Sequence, residues 1–341
     1  MSLQKGASAL RDLVDRFPQP GQIQRRVLQR TAQETVDALP GLLHKRSAYN
    51  EAHQSKKESA NSLPRLHPNN CPHFPSPATI KVINDDTLNV AITLAQNARA
   101  HNFNSGVSNL RPIIINFASH RKPGGGWLNG AMAQEESICY RSSLSLSLDY
   151  SDYPLALDEL IYSPYILIMR SDLVSGHNLL EPSSATPQDL PVISGITIAA
   201  VHQPALRTVS MGNSHIRISD DALRSHRSSP SPSSIYLCTR QIFARKRDIK
   251  LTKIKMRLAL RAAALKGHVM LVLGALGCGV YANPPAEIAK FWLEVLREDE
   301  FRGNWWREVY FAVYDTKSKG TYETFRQVLD GKKSLVGVFS F

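Results

Sequence analysis

Two adjacent carboxylates, Glu135 and Glu136, follow closely on three consecutive glycines, Gly124-Gly125-Gly126, in the stretch IIINFASHRKPGGGWLNGAMAQEESICYRSSL from Ile113 to Leu144. Three residues without a Cβ leave their backbone N–H groups free to approach a sugar or phosphate directly, although a tightly turned connection would use the same residues. Glutamates this close in the chain do not readily form the opposed carboxylate pair of most glycosidases, which needs roughly 5 to 9.5 Å across a sugar ring. One of them acting alone could protonate a leaving oxygen, stabilise an oxocarbenium-like transition state and then take a proton from the attacking water. Its neighbour would then be free to bind a hydroxyl. The competing structural role is plain: Gln134, Glu135 and Glu136 would decorate a helix N-terminus, where the dipole favours carboxylates. That setting lowers a carboxylate pKa and opposes a general-acid role unless burial or bound phosphate raises it again.

A second loop has related chemistry. Gly274-Ala275-Leu276-Gly277-Cys278-Gly279-Val280-Tyr281-Ala282-Asn283 follows a buried apolar run and precedes Pro284-Pro285 and a helix. Backbone N–H groups and a helix terminus arranged in this way can hold a diphosphate, or simply pack helix on sheet. Cys278 has no His beside it in the motif and reads as a small buried residue rather than a nucleophile. His67, Cys71 and His73 in HPNNCPH could share a metal, but the sequence offers no fourth ligand, and no metal site is expected. Asp85 and Asp86 are the remaining acidic pair of interest.

The elements that must position these loops are legible as alternating runs. Thr79–Ile83, Arg111–Phe117, Tyr165–Met169, Ile196–Val201, Val269–Leu273 and Val309–Tyr314 read as strands, and Thr87–Ala100 and Pro285–Leu296 as helices. Such alternation predicts an α/β layered fold. Before it, Leu10, Leu13, Val14 and Phe17 recur at helical spacing, Pro18 to Gly21 stop that element, and a second helix is expected from Ile23 to Leu39. These are read as accessory helices within residues 1–50. Residues 51–78, rich in Ser, Asn, Pro, Lys and His, are expected to form a mobile linker or an irregular wrap, with the compact core from 79 to 341. Ser-, Pro- and Arg-rich sequence between 202 and 250 predicts a surface insertion.

The 341 residues are 43% hydrophobic, enough for a sizeable core, and no apolar run reaches the roughly 18 to 20 residues that would span a bilayer. The opening residues lack the apolar stretch of a secretory signal, and the four cysteines form no CxxC pair. An intracellular protein, nuclear or cytoplasmic, without membrane association is expected. A formal net charge of +12 attracts polyanions, nucleic acid and anionic membrane among them, and by itself selects no partner. Part of that excess is expected in loose segments such as Lys56–Lys57 and Arg245–Lys246–Arg247.

The glycine triplet followed by Gln134-Glu135-Glu136, together with the surrounding NFASHRKPGGGWLNGAMAQEES and Arg141-Ser142-Ser143 after it, is similar to the GGG and QEE signature of poly(ADP-ribose) glycohydrolases, the bacterial and fungal branch in particular. The resemblance extends more weakly from Thr79 to about Leu329, including LVLGALGCGVYANPP. It implies a macrodomain-like three-layer α/β/α core with a mixed central sheet, and hydrolysis of ribose–ribose O-glycosidic bonds, from the free end of the polymer, to release ADP-ribose. By the same resemblance Glu136 is the catalytic acid/base, and Glu135 binds ribose hydroxyls. Gly124, Gly125 and Gly126 line the terminal ribose, with Ser119 as a further hydroxyl contact and Gln134 beside them. Gly277, Cys278, Gly279, Val280, Tyr281 and Asn283 form the second binding loop. Phe is the commoner residue where Tyr281 stands. No cofactor is implied. The expected partners are poly(ADP-ribose) or ADP-ribosylated proteins, not nucleic acid, and the chain is expected to act as a monomer. Hydrolysis of a mono-ADP-ribosyl linkage and ADP-ribose binding without catalysis are the alternatives. Trp127, Trp305, Trp306, Tyr310, Phe311 and Tyr322 are candidates for stacking adenine, or for the core.

Overall fold

Ile113–Phe117 (β3), the strand that feeds the glycine triplet, lies in the middle of a seven-stranded sheet in the computed structural model, which describes residues 20–100, 110–180, 190–210 and 239–334. The strands are β1 (Lys56–Ser59), β2 (Ile80–Ile83), β3, β4 (Glu159–Leu167), β5 (Val192–Ile198), β8 (Met270–Gly274) and β9 (Glu308–Ala312), in the order β1-β4-β5-β3-β8-β9-β2. β3 is parallel to both β5 and β8, β9 is parallel to β8 and β2, and only β4 runs against its neighbours. The loops that leave β3, β5 and β8 therefore emerge at one edge, the usual place for a ligand in a sheet of this kind.

Strand alternation divides the core into two faces. Ile113 and Ile115 of β3, Leu271 and Leu273 of β8, and Val309 and Phe311 of β9 pack on one side. Ile114, Met270, Val272 and Tyr310 pack on the other. Helices cover both faces, so the strands read as continuous apolar runs instead of alternating ones. The first face is covered by helices Lys246–Leu265, Pro285–Leu296 and Thr321–Leu329, and the second by Pro20–Lys45, Thr87–Ala100 and Gln134–Arg141. In chain order, with a single turn at Tyr49–Ala52 as α2, these are α1 (Pro20–Lys45), α3 (Thr87–Ala100), α4 (Gln134–Arg141), α5 (Lys246–Leu265), α6 (Pro285–Leu296) and α7 (Thr321–Leu329). The expected three-layer α/β/α arrangement with a mixed sheet is present.

Three expectations need correction. Of the two expectations for residues 51–78, the mobile linker gives way to a wrap packed on the core: β1 pairs with β4 from Lys56 to Ser59, and Leu63, Leu66, Cys71, Phe74 and Ala78 are buried. Lys56 and Lys57 are ion-paired, with Glu58 at 2.8 Å and Glu159 at 3.2 Å. The second amino-terminal helix starts at Pro20 and runs through Pro40 to Lys45. Pro20 is tolerated because a first-turn N–H has no intrahelical acceptor, whereas Pro40 removes one bond without ending the helix. This helix is not peripheral, since Leu28 and Ala32 enter the core beneath α4, and Leu39 and Leu43 pack on β4. The insertion is likewise narrower than 202–250. Its base is a hairpin of Leu206–Ser210 (β6) with Thr239–Phe243 (β7), and α5 already begins at Lys246. The helix expected from Leu10 to Phe17 and the middle of the insertion lie outside the described residues.

Candidate active site

α4 is only eight residues long, and its first three side chains reach back to β3 and the loop after it. Gln134 accepts a hydrogen bond from Phe117 N at 2.7 Å and donates to Ile115 O at 2.7 Å and Thr87 Oγ1 at 3.2 Å. Its amide is fully engaged in fixing α4 to the end of β3, so Gln134 positions the site instead of facing a ligand. Glu135 accepts from Ser119 N at 2.7 Å and from Asn116 Nδ2 at 3.2 Å, and it is 2% exposed. Glu136 accepts from Gly126 N at 2.9 Å. At the opposite end of α4, Arg141 is buried against Asp86 and donates to Asn89 Oδ1 at 2.8 Å and Arg170 O at 3.2 Å. Asp86 also caps α3 through Leu88 N at 2.8 Å, which gives this acid a structural role.

The glycines are required by what surrounds them. Gly124 and Gly125 have φ of 64° and 55°, the left-handed region that side chains with a Cβ rarely adopt. A Cβ on Gly125 would run into Glu136 Oε1 and come 3.1 Å from Glu135 Oε2. A Cβ on Gly124 would meet the Trp127 ring at 2.7 Å. Both carboxyl groups are therefore seated directly on the glycine backbone.

Burial, the largest influence, together with the nearby Glu136 raises the pKa of Glu135 to about 8, against the opposing hydrogen bonds from Ser119 and Asn116. For Glu135 the desolvation outweighs the hydrogen bonds it accepts, which favours the protonated acid near neutral pH. Burial, with both glutamates adding to it, also pushes the Cys139 thiol pKa well up.

The second loop meets the first through Tyr281. Its hydroxyl accepts from His120 N at 3.2 Å and lies 3.2 Å from His120 Nδ1. The His202 ring packs edge-on against the Tyr281 ring at 4.7 Å between centroids, and the two histidine rings are 5.7 Å apart. Gly277 has φ 73°, and a Cβ there would meet Asn283 Nδ2 at 2.5 Å and Ala200 Cβ at 2.6 Å. Asn283 donates to Val201 O at 2.8 Å and to Gly277 O and Tyr281 O at 3.2 Å, so this side chain shapes the loop from within. Trp292 of α6 donates to Gly274 O at 3.0 Å and anchors the start of the loop. Val280 is 72% exposed and Gly279 faces open space, which leaves the tip of the loop accessible. Desolvation raises the thiol pKa of the half-buried Cys278, which disfavours the thiolate.

Sequence reasoning missed Asn116, His120, Thr197 and His202. Asn116 carried a signal, an amide in an otherwise apolar buried strand, and it bridges Glu135 to Thr197 Oγ1 at 3.2 Å. The two histidines follow strand ends, and only the parallel pairing of β3 with β5 reveals that they meet. Ser119 contributes its backbone N–H to Glu135, while its hydroxyl accepts from Arg121 N at 3.2 Å. Of the aromatic candidates, Trp127, Trp305, Trp306, Tyr310 and Phe311 are buried in the core.

Residues 32–171, the span that holds β3, the glycine triplet and α4, match the profile of the microbial-type PARG catalytic domain. This stretch is therefore similar to a microbial-type PARG catalytic domain. Among solved structures, the poly(ADP-ribose) glycohydrolase (PARG) of Thermomonospora curvata is similar in fold at 24% identity and a TM-score of 0.62, covering 89% of this chain and 99% of that one. The same values describe that enzyme bound to the inhibitor ADP-HPD. A point mutant of the Deinococcus radiodurans PARG, in complex with ADP-ribose, is 25% identical with a TM-score of 0.56, covering 85% of this chain and 97% of that one. No curated protein matches. Within the matched segment lie both glutamates, Asn116, Ser119 and His120, whereas the Tyr281 loop falls beyond the matched profile. No helix among the described residues is long and apolar enough to cross a membrane.

Proposed function

We propose that this protein is a poly(ADP-ribose) glycohydrolase that hydrolyses the ribose–ribose O-glycosidic bond from the free end of the polymer and releases ADP-ribose. The observation that carries the reading is the seating of two glutamates on Gly125 and Gly126, next to a loop tied to them through Tyr281 and His120. Glu136, held by Gly126 N, protonates the oxygen of the departing ribose as the glycosidic bond breaks and then takes a proton from the water that attacks C1. Glu135, protonated at neutral pH, donates a hydrogen bond to a ribose hydroxyl and keeps the ring over the glycines. The open backbone of residues 277–281 takes the diphosphate, with Tyr281 against the terminal ribose. No step calls for a metal or a cofactor.

The test is direct. Poly(ADP-ribose) is incubated with the protein, and free ADP-ribose is followed by chromatography. Release by the wild-type chain and its loss in Glu136→Ala are expected. No release from wild type, or full release from Glu136→Ala, overturns the reading, and turnover of a mono-ADP-ribosylated protein in place of the polymer would reassign the substrate.

A further inference from the structure

Two imidazoles beside Tyr281 have ring nitrogens that the reaction described above leaves unused. His120 follows β3 and His202 follows β5, strands that run parallel with Phe117 opposite Ile198, so both loops leave at the edge where Tyr281 arrives from β8. The two histidine rings are 5.7 Å apart, and Tyr281 lies edge-on to His202 at 4.7 Å between centroids. Backbone bonds fix all three residues. Leu155 N donates to His120 O at 2.9 Å, Gln203 N donates to Tyr281 O at 3.0 Å, and His120 N donates to the Tyr281 hydroxyl at 3.2 Å. Gln203 and Ala282, each one residue past a ring, hold left-handed φ of 44° and 55°. Residues with a Cβ rarely adopt that conformation, and such strain clusters at ligand sites.

What surrounds these rings suits an anion. Nδ1 of His120 faces the Tyr281 hydroxyl at 3.2 Å, which leaves Nε2 without a partner among the described residues. His202 is exposed and, among the described residues, makes ring contacts only. Lys255 of α5 is buried and likewise has no hydrogen-bonded or ion-paired partner among the described residues. The charges acting on His120 are those of Arg121 beside it in the chain, His202 from the loop after β5, and Lys255 from α5; Tyr281 adds its phenol from the loop after β8. Of the nearby carboxylates, Asp158 acts on Lys255, and Glu135 is bound to Ser119 N. Burial first, and then the three cationic neighbours, lower the His120 pKa, so the ring is neutral at pH 7 until an anion offsets them.

We propose that His120 and His202 bind the diphosphate of the terminal ADP-ribose unit as an imidazole pair that takes up one proton when the anion arrives. This rests on the reading above, in which residues 277–281 take that diphosphate. The backbone N–H groups there are neutral donors, and a protonated imidazole adds a hydrogen bond roughly twice as strong. The proton comes from solvent, and the charge of the diphosphate offsets the repulsion that Arg121 and Lys255 exert on the protonated ring. No bond of the ligand is made or broken by the pair. Its part is to bind and to position.

Calorimetric titration of the full chain with ADP-ribose, inorganic pyrophosphate and adenosine, each in buffers of different ionisation enthalpy, counts the protons taken up on binding. Uptake of about one proton near pH 7 is expected with ADP-ribose and with pyrophosphate, and none with adenosine. ADP-ribose affinity is expected to fall about tenfold from about pH 6 to about pH 8, equivalent to about 1.4 kcal/mol. His202→Gln breaks no hydrogen bond among the described residues and should flatten that slope and remove most of the uptake. His120→Gln should do the same, and proton NMR of the ring hydrogens with and without pyrophosphate shows which imidazole holds the proton. Histidine titrations that pyrophosphate leaves unmoved, proton uptake unchanged in both variants, or uptake with adenosine would overturn the pair. A chain that binds ADP-ribose and pyrophosphate with the expected uptake, yet leaves the polymer uncut, would sink the hydrolase reading alone.

Discussion

The Tyr281 hydroxyl sits 3.2 Å from the backbone nitrogen of His120, which joins the loop after β8 to the loop after β3 on the site edge of the sheet. A phenylalanine could fill the same space and pack on His202, yet it could not accept this bond. Tyr281→Phe is therefore expected to loosen the junction by about 1 kcal/mol, a several-fold loss in ADP-ribose affinity with little change in melting temperature. Calorimetric titration measures it. Unchanged affinity would mean that ring packing alone orders the loop.

Gly125 and Gly41 make a contrasting pair for testing the backbone. Alanine at 125 would have to hold φ near 55° and displace Glu136, and the strain alone costs on the order of 1–3 kcal/mol. Misplacing the acid adds more, so Gly125→Ala is expected to lower kcat by at least about 100-fold. At Gly41, exposed on α1, a Cβ meets nothing and φ is not positive, so Gly41→Ala is expected to keep activity within about threefold. Equal effects from the two substitutions would refute the close seating of the carboxylates.

Much of this site was legible, and the reasons differ element by element. Pro285–Leu296 was expected at its observed bounds, because its apolar face recurs at helical spacing behind a proline that suits a first turn. β3 announced itself through three isoleucines. β1, by contrast, reads Lys-Lys-Glu-Ser and has no apolar signal. Its buried Glu58 is made tolerable by Lys56 at 2.8 Å and by Lys266 at 3.2 Å, more than two hundred residues away in the chain. α5 escaped notice for a related reason: its Lys253, Arg257 and Arg261 look like a solvated basic run, but they pair with Glu294, Glu298 and Glu300 at 2.6 to 2.8 Å. Pairings between remote residues leave no local pattern, and the meeting of His120, His202 and Tyr281 is of the same kind.

Glu135 should make stability depend on pH. Its folded pKa of about 8 lies above the ordinary 4.5, so between those values the folded state holds a proton that the unfolded state has released. The contribution is fully present below pH 4.5 and is lost as pH rises toward 8, up to about 5 kcal/mol over the window. Glu135→Gln keeps the shape and removes the titration. Denaturant unfolding from pH 5 to 8 should show a flatter stability profile for this variant than for wild type. Parallel profiles would place the carboxyl in a far more polar setting.

Lys255 of α5 poses the opposite electrostatic problem. It is 1% exposed and has no hydrogen-bonded or ion-paired partner among the described residues. Burial lowers its pKa to about 8, with Asp158 pulling weakly the other way. Because the folded pKa lies below the ordinary 10.5, the unfolded chain binds the extra proton between pH 8 and 10.5, and stability rises with pH across that window. Below pH 8 the full cost of the buried charge remains, roughly 3 kcal/mol. Lys255→Met is expected to recover most of it at pH 7 and to remove this rise in the alkaline range. The same substitution should raise the pKa of His120, which burial lowers first and the charges of Arg121, His202 and Lys255 lower further. Chemical denaturation reads the first effect and proton NMR titration of the histidines the second. A Lys255→Met chain less stable than wild type at pH 7, with His120 unmoved, would mean that the ammonium finds a partner and lies away from the site.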